Sequence, residues 1–135
     1  MKLPNEEEIK KEISRGQKSL KSAKKLFEEG LLEDAISRSY YAVLHAAKAV
    51  LLSENVTVSS HEAVKRLFGM HLIKIGKIEL KYSKILSEEQ DERYLADYDV
   101  AFSPEPDRVE ERIKAAEDFC DAMIGYLKKS GIESI

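Results

Sequence analysis

Arg38, Tyr41 and His45 are polar residues in a stretch, residues 37–52, that otherwise consists mostly of alanine, leucine and valine. Such a composition predicts a helix that is buried on nearly all sides. The i, i+3 and i+7 spacing of the three residues places them on one face of that helix. Burying an arginine and a histidine without partners costs several kcal/mol. This face is therefore predicted to meet other polar groups, water or a ligand.

Two interpretations of this face are open. An arginine beside a histidine is the minimum equipment for RNA cleavage without a metal ion, because imidazole can move the 2′-hydroxyl proton and guanidinium can stabilise the charged phosphorane. In that interpretation Arg38 and His45 are catalytic. In the other, Tyr41 and His45 are core or dimer-interface residues whose polar tips bond to neighbouring helices.

Arg93, Asp97 and Tyr98 form a second polar group, closer to the C-terminus. Arg93 and Asp97 are four residues apart, so they can form an ion pair along one face of a helix. Such pairs are common and individually weak, which keeps a purely structural role open. Asp97 could instead orient a histidine or an arginine from the second helix.

Lys65, Arg66, His71 and Lys74 belong to a locally basic segment. Residues 61–84 hold six lysines and arginines against two acidic residues, a balance of +4, whereas residues 86–121 hold thirteen acidic residues against four basic ones, a balance of −9. The basic segment predicts a surface that can hold phosphates. The alternative is a solvated face that balances its acidic neighbour. The formal net charge of −3 argues against general coating of nucleic acid by the whole chain.

Several common kinds of site are excluded. The chain has no phosphate-cradling glycine loop, no HExxH motif and no Gly-x-Ser-x-Gly elbow. Its three histidines lack metal-ligand spacing, and its single cysteine, Cys120, can build neither an intrachain disulfide nor a cysteine zinc site. We therefore predict no metal ion and no cofactor. The N-terminus lacks the apolar core of a signal peptide and no run of about 18 apolar residues occurs, so we predict a cytoplasmic protein without membrane spans.

Helical periodicity and helix-ending residues predict a chain made of helices alone, at about residues 5–29, 32–54, 61–75, 78–102 and 107–129. The fourth helix is predicted in two pieces, 78–86 and 87–102, and Gly69 predicts a kink in the third. Capping boxes are predicted at Asn5 with Glu8 and at Ser59 with Glu62. Short connections between long amphipathic helices predict an all-α, up-and-down bundle of four to five helices, formed by one domain over residues 1–135.

The chain resembles the small prokaryotic HEPN domains (higher eukaryotes and prokaryotes nucleotide-binding) in the block Arg38-Ser39-Tyr40-Tyr41-Ala42-x-x-His45-Ala46-Ala47-Lys48-Ala49. Supporting similarities are Ser60-His61-Glu62, Arg93-x-x-Ala96-Asp97-Tyr98 and Ala115-Ala116-x-x-Phe119. The resemblance extends from about Ile9 to Tyr126. It implies an HEPN-like helical bundle that commonly forms a homodimer. Many members are toxin halves of toxin–antitoxin pairs that act as metal-independent ribonucleases, often with a minimal nucleotidyltransferase as partner.

The family's catalytic signature is an arginine followed four to six residues later by a histidine in a late helix. Here the corresponding segment is Arg93 to Tyr98, with a tyrosine where the histidine would be. The resemblance therefore implies a module that binds nucleotide or RNA, with weak or no nuclease activity of its own, in a pocket built from Arg38, Tyr41, His45, Arg93, Asp97 and Tyr98. Tyr98 is also a candidate acceptor for nucleotide transfer by the partner. The alternatives are a divergent metal-independent endoribonuclease that uses Arg38 and His45, and a structural dimerisation module without a ligand.

Overall fold

The computed structural model describes residues 5–133 and 135, and its regular elements are helices throughout. The elements in chain order are α1 (Glu6–Glu28), α2 (Leu32–Ser53), α3 (His61–Phe68), a π-helical turn (Gly69–Ile73), α4 (Leu80–Tyr98) and α5 (Pro106–Lys129). Within these described residues there is no strand. The predicted all-α bundle of four to five helices is confirmed.

Helix α2 lies at the centre of the bundle and packs against α1, α3, α4 and α5. Twelve of its 22 residues are buried, and five of those twelve are alanines. Their small side chains allow neighbouring helices to approach closely. Helix α1 approaches α2 closely, because a Cβ atom added to Gly16 would lie 3.2 Å from the carbonyl oxygen of Ala42. This contact fixes how far apart the facing side chains of α1 and α2 can be.

Aromatic residues of three helices form the centre of the core. Phe119 of α5 is fully buried, with its ring centroid 5.7 Å from that of Phe68 at the end of α3 and 6.0 Å from that of Tyr82 in α4. A smaller apolar cluster near the other end of the bundle includes Ile36 of α2 and Val109 of α5. The core therefore ties α2, α3, α4 and α5 together. Among the helices described, none is both long enough and apolar enough to cross a membrane.

Helix α4 differs from the sequence prediction, because it is one continuous helix rather than two pieces that meet at Ser87. Its buried side carries Leu86 and Glu89, and Oε1 of Glu89 accepts a hydrogen bond from Ser39 Oγ of α2 at 2.7 Å. This contact with the central helix lies just where the break was predicted. Tertiary packing therefore outweighs the local capping signal.

Both predicted capping boxes are absent. Asn5 precedes α1 but its side chain makes no capping bond, and Nδ2 instead donates to the carbonyl oxygen of Leu52 at 3.4 Å. The cap of α3 is Ser60, one residue later than predicted, with Oγ accepting from the backbone amide of Ala63 at 3.2 Å.

At Gly69 the predicted kink takes the form of the π-helical turn, in which the amide of Lys74 donates to the Gly69 carbonyl at 2.9 Å.

Candidate functional site

The predicted face of α2 lines a cavity between α1 and α2, beside the start of α3. Arg38, Tyr41 and His45 all border this cavity, whose volume is about 530 Å³. Helix α1 contributes Arg15 and Lys18 from the opposite side. We call it the α1–α2 cavity and define it by its basic side chains, which are Arg15, Lys18, Arg38, His45, Lys48 and His61.

The charge of the α1–α2 cavity is only partly balanced. Glu12 of α1 pairs with Lys48 at 3.5 Å and accepts a hydrogen bond from Nδ1 of His45 at 3.1 Å. By contrast, Arg15, Lys18 and Arg38 form no ion pair with any residue in the described part of the chain. The cavity therefore keeps a net positive charge that favours an anionic ligand.

The carboxyl group of Glu12 favours its ionised form although the side chain is half-buried. Burial tends to raise the pKa of this carboxyl group, but the hydrogen bond from His45 and the positive charge of Lys48 outweigh burial and leave the pKa below its ordinary value. An ionised Glu12 fixes the His45 ring, because the carboxylate accepts a hydrogen bond from Nδ1–H and leaves Nε2 as the nitrogen that can face a ligand.

Arg38 lies over the aromatic ring of its neighbour on the helix. Its Cζ atom is 4.6 Å from the centroid of the Tyr41 ring, which is the geometry of a cation–π contact. Arg38 also borders a second, adjoining cavity of about 440 Å³ together with Asp97 and Ser37. The guanidinium thus lies at the junction of two cavities, and no carboxylate in the described part of the chain forms an ion pair with it.

The second predicted group, on α4, is held against α2. Asp97 forms an ion pair with Arg93, at 3.3 Å between Oδ2 and Nη1, and its Oδ1 accepts a hydrogen bond from Ser37 Oγ at 2.5 Å. Arg93 Cζ lies 5.0 Å from the ring centroid of Tyr40 and 6.0 Å from that of Tyr98. Asp97 therefore orients an arginine of its own helix and a serine of α2.

The six predicted pocket residues thus fall into two adjacent groups. Arg38, Tyr41 and His45 line the α1–α2 cavity, whereas Arg93, Asp97 and Tyr98 form a cluster on α4 beside it. Arg38 and Asp97 meet at the second cavity, which joins the two groups. His45 bonds to Glu12 of α1 rather than to a residue of α4.

Two residues that sequence reasoning did not place in the pocket connect these groups. Tyr40 is buried between them, and burial raises the pKa of its hydroxyl to about 12. His61 is the first residue of α3, and its ring centroid lies 5.9 Å from that of Tyr40 and 5.8 Å from that of Tyr41. The Ser60-His61-Glu62 similarity already drew attention to His61. The sequence could not show that the His61 ring contacts α2, because that contact depends on how α3 packs on α2.

His61 has an environment that favours its neutral form. Burial lowers the pKa of its imidazole, and the positive charges of Arg93, Lys48 and His45 lower it further. A neutral imidazole keeps one unprotonated nitrogen, which can accept a proton. The α1–α2 cavity therefore combines phosphate-binding cations with a group able to take up a proton.

The predicted basic surface is divided by the fold. Lys65 and Arg66 border an open cavity of about 630 Å³ between α3 and α4, whereas His71 and Lys74 lie at the π-helical turn and do not line that cavity. Acidic residues, Glu62 and Asp91, share the lining with Lys65 and Arg66 and reduce its positive charge. No group of three or more metal-ligating side chains occurs among residues 5–133 and 135.

Comparison with known proteins identifies close relatives of this chain. The family model described as HEPN domain matches residues 9–128. Two proteins of Methanocaldococcus jannaschii, each named "putative toxin", are 37% identical over 91% of both chains and 26% identical over 98% of this chain and 90% of the relative. A UPF0332 protein of Pyrococcus horikoshii is 42% identical over 66% of this chain and 63% of its own length.

Proposed function

Since this chain belongs to the HEPN domain family, with a match over residues 9–128, we propose that it is a cytoplasmic protein that binds RNA or nucleotide phosphates in the α1–α2 cavity. The observation that supports the proposal is the set of three cations in that cavity, Arg15, Lys18 and Arg38, that form no ion pair with any of residues 5–133 and 135. Phosphate groups would supply the missing negative charge. The cavity volume of about 530 Å³ is in the range of ligand-binding pockets.

The chain's overall charge is compatible with a local phosphate site. A formal net charge of −3 does not favour binding all over the surface, but the cavity concentrates cations contributed by α1 and α2. Tyr41 adds an aromatic ring at the same place, and such rings can stack against bases. A single-stranded RNA, with one phosphate per nucleotide and accessible bases, matches both features.

We further propose that the protein works as one half of a toxin–antitoxin-like pair with a minimal nucleotidyltransferase, and that it forms a homodimer. Two relatives carry a toxin name, which supports the first part. Exposed apolar side chains near the end of α4, on Tyr94, Leu95, Tyr98 and Val100, support the second. A cluster of this kind is typical of a surface that is covered by another protein.

RNA binding tests the proposal directly. We expect the double substitution of Lys18 and Arg38 to glutamine to weaken binding of a short single-stranded RNA by at least about tenfold and to reduce the dependence of log Kd on log salt by about one to two units. The control is the same change at Lys128 and Lys129, two exposed lysines at the end of α5. Fluorescence anisotropy at several salt concentrations measures both quantities.

Equal affinities for the parent protein and the Lys18/Arg38 variant would contradict a phosphate site in the α1–α2 cavity. If the parent protein bound neither RNA nor nucleotide and its melting temperature did not change with either, the structural dimerisation module would be the better description, because a ligand of the folded state must raise that temperature.

Tyr98 gives the protein a second candidate role, as the acceptor of a nucleotide from the partner transferase. Its side chain is 66% exposed at the last residue of α4, and the Arg93 cation 6.0 Å from its ring could attract the phosphates of an incoming nucleotide. After co-expression with a minimal nucleotidyltransferase, we expect the mass of the protein to increase by one nucleotide. Tyr98→Phe should abolish this increase.

Tyr94→Phe is the matched control, because Tyr94 lies on the same helix, is 61% exposed and contacts Tyr98 with 5.0 Å between the centroids of the two tilted rings. If modification persists in Tyr98→Phe and disappears in Tyr94→Phe, the acceptor is Tyr94 and the assignment to Tyr98 is wrong. An unmodified parent protein would remove the support for nucleotide transfer to this chain.

A further inference from the structure

We infer that a further cavity beside α1 binds a free amino acid with an aliphatic side chain, and that this binding weakens RNA binding at the α1–α2 cavity. It lies between α1, the C-terminal end of α2 and the loop that follows α2, and its volume is about 330 Å³. We call it the α1–loop cavity and define it by six of its lining residues, which are Glu8, Lys11, Glu12, Lys48, Leu52 and Val58. The amino-acid site stands independently of the proposed function, whereas its effect on RNA rests on that function.

The size of the α1–loop cavity and its loop wall are set by the end of α2. Asn55 adopts a left-handed backbone with φ of 61°, its amide donates to the Leu52 carbonyl at 2.9 Å, and the amide of Val56 donates to the Leu51 carbonyl at 2.9 Å. These two bonds form a Schellman motif, which ends a helix in a defined geometry. The loop wall is therefore in place before a ligand arrives. The volume of the cavity is near the lower end of the range for ligand-binding pockets, so the ligand must be small.

Leu52 and Val58 give the α1–loop cavity an apolar wall. Both side chains are partly buried and pack against the main core cluster, so the interior of the bundle holds them in place. A hydrocarbon group of a ligand placed against this wall would remove apolar surface from water, which a bare phosphate cannot do. The wall therefore favours a ligand with a branched aliphatic side chain, such as leucine.

Glu8 and Lys11 place opposite charges on the α1 side of the same cavity. Both residues are exposed, and neither forms an ion pair with any residue in the described part of the chain. Side chains three positions apart on a helix are neighbours, with about 5–6 Å between Cβ atoms. An α-amino acid carries its ammonium and carboxylate groups on one carbon, so it can contact Glu8 and Lys11 together. A ligand with a single charge would leave one of them without a partner.

Lys48 connects the α1–loop cavity to the α1–α2 cavity, because it lines both. Its ammonium pairs with Glu12 at 3.5 Å, and Glu12 in turn accepts the hydrogen bond from His45. A ligand carboxylate in the α1–loop cavity would compete with RNA phosphates for this ammonium group. Leucine and RNA should therefore each lower the affinity for the other, by the same factor.

Calorimetric titration of the whole chain with four small molecules tests the amino-acid site. We expect leucine to bind, and glycine, 4-methylpentanoate and 3-methylbutylamine each to bind at least about fivefold more weakly. These three compounds lack, respectively, the aliphatic side chain, the ammonium group and the carboxylate group of leucine. Absence of leucine binding, or equal affinities for leucine and the three compounds, would overturn the assignment.

Substitutions on α1 locate the bound leucine. We expect Lys11→Gln and Glu8→Gln each to weaken leucine binding by about threefold, because each removes one exposed charge from the site. Lys21→Gln and Glu7→Gln are the matched controls, since both residues are exposed on α1 and line neither cavity. All four substitutions are at exposed positions, so the variants are expected to fold normally. Unchanged leucine affinity in both Lys11→Gln and Glu8→Gln would place the ligand elsewhere and overturn the site.

The effect on RNA is measured by fluorescence anisotropy with and without saturating leucine. We expect leucine to weaken binding of a short single-stranded RNA by at least about fivefold in the parent protein and by less than about twofold in Lys48→Gln. Leucine binding without any change in RNA affinity would overturn the coupling through Lys48. A parent protein that binds leucine but no RNA would overturn the proposed function, and the coupling with it, while supporting the amino-acid site.

Discussion

Glu89→Gln is expected to flatten the dependence of the free energy of unfolding on pH between about pH 5 and pH 8. Glu89 has no exposed surface, and its position between α2 and α5 removes it from water. Burial raises the pKa of its carboxyl group to about 8, because the hydrogen bond from Ser39 and the charge of Arg112 offset only part of the cost of burying a carboxylate. At neutral pH the side chain is therefore mostly protonated.

The sign of the effect follows from proton binding. Between the ordinary pKa of 4.5 and the folded-state pKa of about 8, the folded chain binds a proton at Glu89 that the unfolded chain has released. Stability contributed by the protonated group is complete below pH 4.5 and is lost as the pH rises toward 8. Each pH unit in this interval costs about 1.4 kcal/mol, so this one group can remove up to about 5 kcal/mol.

Glutamine cannot ionise, but its amide oxygen can accept the same hydrogen bond from Ser39. We therefore expect Glu89→Gln to gain several kcal/mol of stability relative to the parent protein as the pH rises from about 5 to about 8. Urea denaturation at a series of pH values measures this difference. Glu110→Gln is the control, because Glu110 is exposed and pairs only with Lys114 on the same helix among the residues described. Parallel curves for Glu89→Gln and the parent protein would show that Glu89 does not titrate in this interval.

Much of the helical architecture could be predicted because its signal is local. The apolar circumference of residues 37–52 predicted a central helix, and α2 is buried on nearly all sides. The predicted break at Ser87 is wrong because α4 continues through this point, where Glu89 contacts α2, in spite of the local capping pattern. Likewise, the Asn5 side chain bonds to Leu52 across the bundle instead of capping α1. In each case, a partner distant in sequence decided the local geometry.

The candidate site was predictable in part for the same reason. A helical face is a local property, so Arg38, Tyr41 and His45 could be grouped from their spacing alone, and they do border one cavity. The other members come from elsewhere in the chain: Arg15 and Lys18 from α1 and His61 from α3. Their positions depend on how α1 and α3 pack on α2, which no periodicity within one segment encodes.

Gly16→Leu is expected to destabilise the protein and to weaken RNA binding at the same time. A Cβ atom at residue 16 would lie 3.2 Å from the carbonyl oxygen of Ala42 and 3.5 Å from Cβ of His45. A backbone carbonyl of the central helix cannot move aside alone, so a larger side chain must push α1 away from α2. Overpacking of this kind typically costs about 1–3 kcal/mol.

The matched control is Gly125→Leu, because a Cβ atom added to Gly125 of α5 would lie within 4 Å of no described atom outside its chain neighbours and the backbone of its own helix. Leucine favours a helix over glycine by about 0.8 kcal/mol, and both glycines lie inside helices, so this gain is common to the two variants. The control should therefore be slightly stabilised, and the two variants should differ by the overpacking cost of about 1–3 kcal/mol. Urea denaturation measures this difference, and RNA affinity is measured at a temperature where both variants are folded.

The effect on RNA binding follows from where the cations lie. Arg15 and Lys18 flank Gly16 on α1, whereas Arg38 faces them from α2. A wider separation of the two helices would increase the distance between these cations, so fewer of them could contact one phosphate together. Lower RNA affinity in Gly16→Leu than in Gly125→Leu would therefore support a site that depends on the close approach of α1 and α2. Equal affinities would show that RNA binds to one helix or to another surface.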